Sequence, residues 1–331
     1  MNASSAGILS DDPEPLAILT AVHSRLIGER DGAVADYIPE LAKADPSRFG
    51  LAIATTTGAC YSVGDAELEF TIQSISKAFA YCLALEIYGR EKVIERVGVE
   101  PSGDAFNGIV FDPHTNRPFN PMVNAGAITV TAMLQDAAGD SALKLILDRF
   151  SEAAGRSLVV CENVYHSEAQ TGHRNRAIGY LLRNVGAISG NCEPAVDLYF
   201  RQCSILVTAN DLARMGATLA NIGQNPVTGR QVYSEAAVRD TLSVMFSCGM
   251  YDYSGNWILD VGFPAKSGVS GGLAGVINRQ MGIASYSAPV DVKGNSVRGM
   301  AAFRQLSDEL GLHAFEWSNY GSQYLRARAP Q

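Results

Sequence analysis

Ser74-Ile75-Ser76-Lys77-Ala78-Phe79-Ala80-Tyr81-Cys82-Leu83-Ala84-Leu85-Glu86-Ile87-Tyr88-Gly89 is a run with almost no polar face. Its spacing predicts a helix from Ser76 to about Gly89, with Phe79, Ala80, Leu83, Ala84 and Ile87 spread around the axis. A helix apolar on every side offers nothing to water and belongs at the centre of a protein. Its one cation, Lys77, sits inside it, where an unpaired ammonium is costly.

The patterns on either side of this helix differ from it. Upstream, residues 13–27 read as an amphipathic helix, with Leu16, Ile18, Leu19, Val22 and Leu26 at helical spacing. Residues 32–41 form a loop carrying Tyr37-Ile38-Pro39. Phe49, Leu51 and Ile53 alternate with small residues, Thr57-Gly58 turns the chain, and Tyr61 and Val63 alternate on the return, which is a β-hairpin. Leu68, Phe70 and Ile72 alternate briefly before the period changes at Ser74. Downstream, residues 98–121 hold four prolines; a connection of that length is commonly a lid. Residues 124–248 are mostly helical, with N-cap signals at Thr208 before Asp211 and at Ser234 before Ala237. From Trp257 the period reads as strand again, through residues 265–269, 273–278 and 281–286, with a tight turn at Asn278-Arg279-Gln280. Residues 296–310 close the pattern as a helix.

Strands at both ends and helices between them predict an α+β fold. A hairpin and a C-terminal meander join in one antiparallel sheet flanked by helices, and a mostly helical lobe is inserted. The expected division is one catalytic domain over residues 1–331. Its α/β lobe covers about 10–75 and 255–315, and its helical lobe about 76–250.

Composition narrows the function. The chain has 331 residues, 47% apolar and 18% charged, with a net charge of −8. That balance lacks the basic stripe needed to neutralise phosphates, so no nucleic-acid partner is expected. Residues 1–12 carry two acids and no Lys or Arg, unlike a secretory signal. No stretch of about 18 apolar residues suggests a membrane span. The expected location is the cytoplasm. The six cysteines form no CxxC pair and read as reduced core residues. No Cys/His spacing fits a zinc site.

The chemistry lies in two separated motifs. Ser74 and Lys77 stand one helical turn apart, a nucleophile and a base on one face. Lys266-Ser267-Gly268, followed by Ser270-Gly271-Gly272, places a second lysine on a strand beside flexible backbone that can approach a ligand. Either motif alone fits a helix cap or a turn; together they fit an acyl-transfer site. Lysine is a useful base near neutrality only when its pKa falls. The apolar helix would depress Lys77 by desolvation, and Lys266 is expected to add repulsion. Ser247-Cys248-Gly249-Met250-Tyr251-Asp252-Tyr253 ends a helix just before the meander, where Tyr251 could relay protons.

With those motifs the chain resembles the serine-dependent glutaminases of bacterial type, related to the kidney- and liver-type enzymes. The matching blocks are Tyr37-Ile38-Pro39, Gln73-Ser74-Ile75-Ser76-Lys77, Asn120-Pro121-Met122-Val123-Asn124-Ala125-Gly126-Ala127-Ile128, Arg174-Asn175, Asp197-Leu198-Tyr199, Ser247-Cys248-Gly249-Met250-Tyr251-Asp252 and Pro264-Ala265-Lys266-Ser267-Gly268-Val269. The resemblance implies a fold like that of β-lactamases and penicillin-binding proteins, and hydrolysis of L-glutamine without metal or organic cofactor. It implies Ser74 as nucleophile, Lys77 as base, Tyr251 as proton relay and Lys266 nearby. The backbone N–H groups of Ser74 and Val269 would form the oxyanion hole. Substrate contacts are implied for Tyr37, Asn124, Glu168, Asn175 and Tyr199, with Glu168 on the ammonium. It also implies a homodimer or homotetramer, and a mobile segment at residues 98–121. A β-lactam enzyme is the nearest alternative; the missing Ser-Asp-Asn triplet and export signal oppose it.

Overall fold

The computed structural model describes residues 15–103 and 107–316. The first two residues of the expected N-terminal helix, 13 and 14, lie outside that range. The chain opens with helix α1 (Pro15–Leu26), hairpin strands β1 (Gly50–Thr55) and β2 (Cys60–Gly64), and the two-residue strand β3 (Phe70–Thr71). A 3-10 turn at Gln73–Ile75 leads into α2 (Ser76–Ile94), which kinks at Gly89, where φ is 76°. Then come α3 (Asn124–Ala138), α4 (Ala142–Ala154), α5 (Glu162–Thr171), α6 (His173–Asn184) and α7 (Glu193–Cys203). After β4 (Leu206–Val207) follow α8 (Ala209–Ala220), α9 (Glu235–Cys248) and α10 (Ser254–Asp260), then β5 (Ala265–Ser267), β6 (Gly272–Ile277), β7 (Met281–Tyr286) and α11 (Val297–Leu310).

The main sheet has five strands in the order β2-β1-β7-β6-β5, all antiparallel. The N-terminal hairpin joins the C-terminal meander through β1 and β7, with Gly50 opposite Tyr286 and Ala54 opposite Gly282. The period of two sorts the side chains onto two covered faces. Leu51, Ile53, Leu273, Met281 and Ile283 pack with α1, Trp257 and α11. Ala52, Ala54, Ala274 and Ala284 face the other way, toward Leu212, Ala213 and Ala217 of α8. The small residues on that face let α8 lie close. A Cβ on Gly282 would fall 2.2 Å from the Ala213 carbonyl oxygen, so only glycine fits there. Helix α8 thus lies on the sheet, although it falls within the helical stretch of the sequence. Its start carries the expected capping box between Thr208 and Asp211.

Helix α2 is buried from Ser76 to Leu85 and packs against α3, α4 and α9, as a helix without a polar face must. The strand expected from Trp257 begins later: Trp257 lies in α10, with Nε1 donating to the Phe263 carbonyl at 2.7 Å. A short apolar run reads equally as helix or strand, and here the 3-10 turn Tyr251–Tyr253 feeds directly into a helix. The alternation around Phe70 is a strand of only two residues. It pairs with β4 outside the main sheet. Among the described residues no helix is long and apolar enough to cross a membrane.

Candidate active site

The 3-10 turn before α2 presents Ser74. Gln73, just ahead of it, has a φ of 47°, a left-handed conformation that side-chain-bearing residues seldom adopt and that concentrates at functional sites. Ser74 opens onto a cavity of about 120 Å³. Seven of the sequence-predicted residues line it: Tyr37 from the loop after α1, Ser74, Asn124 at the start of α3, Glu168 of α5, Asn175 of α6, Tyr199 of α7 and Val269 after β5. Tyr37 is 53% exposed as a residue and forms part of the cavity wall, near Glu168 and Tyr251.

The other three, Lys77, Tyr251 and Lys266, stand behind the cavity wall. Lys77 is buried, and its Nζ donates to Asn124 Oδ1 at 2.6 Å. Tyr199 donates to the same oxygen at 3.4 Å, and Asn124 Nδ2 donates to Asn175 Oδ1 at 2.9 Å. Asn124 therefore links the lysine to two cavity side chains. The Tyr251 hydroxyl interacts with the Ser74 side chain by a hydrogen bond and donates to the Ser267 carbonyl at 3.3 Å. The Tyr251 ring has the Lys266 ammonium 3.6 Å from its centroid and that of Lys77 at 5.6 Å. The two distant motifs meet on this ring, which itself sits at a left-handed φ of 57°.

Burial tunes every ionisable group here. Desolvation brings Lys77 down to about 7, against a weaker opposing pull from Cys203 and Glu168. Lys266 falls well below the usual lysine range, through desolvation first and repulsion from Lys77 second. Burial leads at both lysines, and the expected repulsion between the two ammonium groups acts as the second cause at Lys266. Burial also raises Glu168 to about 8, offset in part by Gln73 and Lys77. Tyr251 is raised by the same cause, with Ser74 pulling the other way. The site thus holds a neutral phenol, a lysine poised near neutrality and a carboxyl that gives up its proton reluctantly.

Two features point to a ligand. Glu168 is 5% exposed, and its Oε2 has no hydrogen-bond partner among the described residues. A buried carboxylate left in this state demands a donor. The backbone N–H groups of Ser74 and Val269, both on the cavity, make no hydrogen bond among the described residues. That pair can receive an oxygen carrying developing charge.

The cavity also includes residues the sequence reading did not single out as site residues: Ile38, Gln73, Asn107, Thr171, Gly172 and Arg174. Ile38, Gln73 and Arg174 stand inside the matching blocks, next to chosen residues, and adjacency was the available signal. Arg174 Nε donates to the Asn107 carbonyl at 2.7 Å, tying α6 to the long loop. Asn107, Thr171 and Gly172 carry no local signal.

Fold and site together define a class, the α+β proteins of β-lactamase-like fold, with Ser74 on the 3-10 turn and Lys77 in the first turn of the buried helix that follows it. Comparison with known proteins narrows this. The glutaminase profile matches residues 32–315. The glutaminase of Trichormus variabilis (strain ATCC 29413 / PCC 7937) is 51% identical over 311 residues, covering 94% of this chain and 93% of that one. Among solved structures, a probable glutaminase 37% identical superposes with a TM-score of 0.88, covering 91% of this chain and 98% of that one. A probable glutaminase from Bacillus subtilis, complexed with 6-diazo-5-oxo-L-norleucine, is 31% identical with a TM-score of 0.84, covering 92% and 98%. The chain belongs to the glutaminase family, whose activity is the hydrolysis of glutamine.

Proposed function

We propose that this protein converts L-glutamine to L-glutamate and ammonia through an acyl-enzyme on Ser74. One observation carries the reading: Ser74 and Glu168, the latter with a buried oxygen that has no partner among the described residues, line the same small cavity. That spacing suits a free amino acid, with its ammonium on Glu168 and its side-chain carboxamide at Ser74. Asn124, Asn175, Tyr199 and Tyr37 supply amide and hydroxyl groups for the α-carboxylate. The ligand named for the Bacillus subtilis relative is also an L-amino acid, with a carbonyl at the position of the glutamine carboxamide.

In the forward step Ser74 Oγ bonds to the carboxamide carbon while its proton passes to the unprotonated Lys77 amine. The N–H groups of Ser74 and Val269 hold the oxygen that becomes negative. The carbon–nitrogen bond then breaks, and the departing nitrogen takes a proton through Tyr251, supplied from Lys77. Water, deprotonated by the same route, cleaves the ester and restores Ser74. Lys266, driven toward its neutral form by burial and by Lys77, adds no competing positive charge beside Lys77 when that amine takes up the proton. Every proton is carried by a side chain of this chain, so the scheme calls for no cofactor. The proposal also takes the protein to act as a homodimer or homotetramer, which light scattering in solution tests.

Replacing Ser74 by alanine tests the scheme. Ser74→Ala abolishes ammonia release and still binds L-glutamine in calorimetry. Turnover at the wild-type rate by that variant refutes the assignment.

A further inference from the structure

Behind the cavity, three buried polar side chains form a chain of hydrogen bonds that the reaction scheme does not use. Gln202 of α7 donates from Nε2 to Ser76 Oγ at 3.0 Å. Its Oε1 accepts from Thr131 Oγ1 at 3.2 Å. Thr131 also donates within α3, to the Ala127 carbonyl at 2.9 Å. All three residues are 0% exposed. Gln202 does not line the cavity, so it does not touch substrate. A fully buried amide in a core costs stability unless each end is satisfied, and this one is satisfied only by bridging two other helices.

The helices it bridges are the ones that matter. Ser76 is the first residue of α2, next to Lys77, and Thr131 stands on α3, two turns from Asn124. Those helices carry the two ends of the 2.6 Å bond between Lys77 Nζ and Asn124 Oδ1. Helix α7 adds Tyr199 one turn before Gln202, and Tyr199 reaches the same Asn124 oxygen. We infer that Gln202 is a positioning residue, a cross-brace that sets how far the helix bearing Lys77 stands from the helix bearing Asn124.

The inference rests on the proposed role of Lys77, and it has its own consequence. Without the brace, Ser76 loses the amide donor and Thr131 keeps only its bond to the Ala127 carbonyl, so the polar link from α2 through α7 to α3 is cut and the two helices relax apart. Lys77 then loses register with Asn124 while the cavity keeps its lining. Misplacement of a catalytic group by about 1 Å can cost up to roughly 100-fold in rate, whereas substrate affinity depends on residues that Gln202 does not touch. The other groups facing Lys77 are Glu168 of α5, Cys203 of α7, and Tyr251 and Lys266.

The test compares Gln202→Met, which keeps length and removes both hydrogen bonds, with Thr131→Val and Thr131→Ser. Ile146→Val, a core change in α4, is the stability control. Steady-state glutamine hydrolysis is measured with thermal denaturation of each variant. Gln202→Met is expected to lower kcat by ~10-fold or more with KM within ~3-fold of wild type. Thr131→Val shows a smaller fall in kcat, and Thr131→Ser restores it. Ile146→Val leaves kcat unchanged even where its melting temperature falls. A folded Gln202→Met with wild-type kcat overturns the inference, as does a loss of kcat that merely follows melting temperature across all four variants. Should Gln202→Met not fold, the Thr131→Val and Thr131→Ser pair decides alone. A wild-type protein without glutaminase activity refutes the proposed function instead, so the two failures are distinct.

Discussion

Replacing Glu168 by glutamine removes the charge offered to the substrate ammonium and keeps the shape of the side chain. Glu168 is buried, has an oxygen without a partner among the described residues, and holds its proton up to about pH 8. Removing one member of a desolvated charge pair costs roughly 2–5 kcal/mol of binding. Part of that is already spent in the wild type, because ionising a group of pKa about 8 at pH 7 costs ~1.4 kcal/mol. The net loss is about 2 kcal/mol, or roughly 30-fold in affinity for L-glutamine. The same reasoning requires a proton. At pH 7 the carboxyl is ~90% protonated, so seating an ammonium on it releases close to one proton per site. Titration calorimetry in the Ser74→Ala background, in two buffers of different ionisation enthalpy, reads both quantities. Glu168→Gln should bind about 30-fold more weakly and release no proton from this position. Affinity within ~3-fold of the parent, with the same proton release, refutes the placement of the ammonium.

Three more outcomes follow from the site. Lys77→Met is expected to lower kcat by ~100-fold or more; in the wild type kcat/KM should rise with pH as Lys77 loses its proton near 7, and a kcat/KM independent of pH between 6 and 8 refutes its role as base. Without ligand, Glu168→Gln should melt higher than wild type at pH 8: a carboxyl raised from 4.5 to about 8 makes the native state hold a proton the unfolded state has lost, so native stability declines as pH rises through that interval. The difference in melting temperature should vanish by pH 4, and its absence at pH 8 in a fluorimetric melt counts against the burial of the charge. Gly249→Ala places a Cβ 1.9 Å from the Ala265 carbonyl oxygen, so α9 must part from β5 on either side of Tyr251 and Lys266; circular dichroism should show a destabilised fold and the ammonia assay a large loss of kcat, and a variant with wild-type values in both disproves that contact.

Much of the architecture was legible because its signals are local. The hairpin, the meander and α2 each announce themselves by period, and the capping residues Thr208 and Ser234 stand where the helices begin. What the period does not contain is which apolar face meets which. Nothing local says that the alanines of β1 face α8 while Leu51 and Ile53 face α1. Trp257 shows the other limit, since Trp-Ile-Leu is short enough to suit either element. In the site, the Ser–Lys spacing was readable from residues alone, and the unfavourable placement of Lys77 in an apolar helix marked it. Glu168 was not readable that way. Its neighbours in α5 are polar, and its burial depends on α7 and on the loop holding Tyr37, which only the folded chain brings together.

The pairing of β1 with β7 sets a schedule for synthesis. A ribosome delivers the hairpin and Ser74 early and the meander, with Lys266 and Val269, late. Throughout that interval β1 has an open edge toward the missing β7, and α8, once made, lacks the β6 and β7 it packs against. Unpaired edges of this kind recruit other chains. Slow translation over the middle of the message, or truncation before the meander, should therefore yield aggregates rather than a partly active fragment, and holding chaperones should matter most for this protein while its final quarter is still being made.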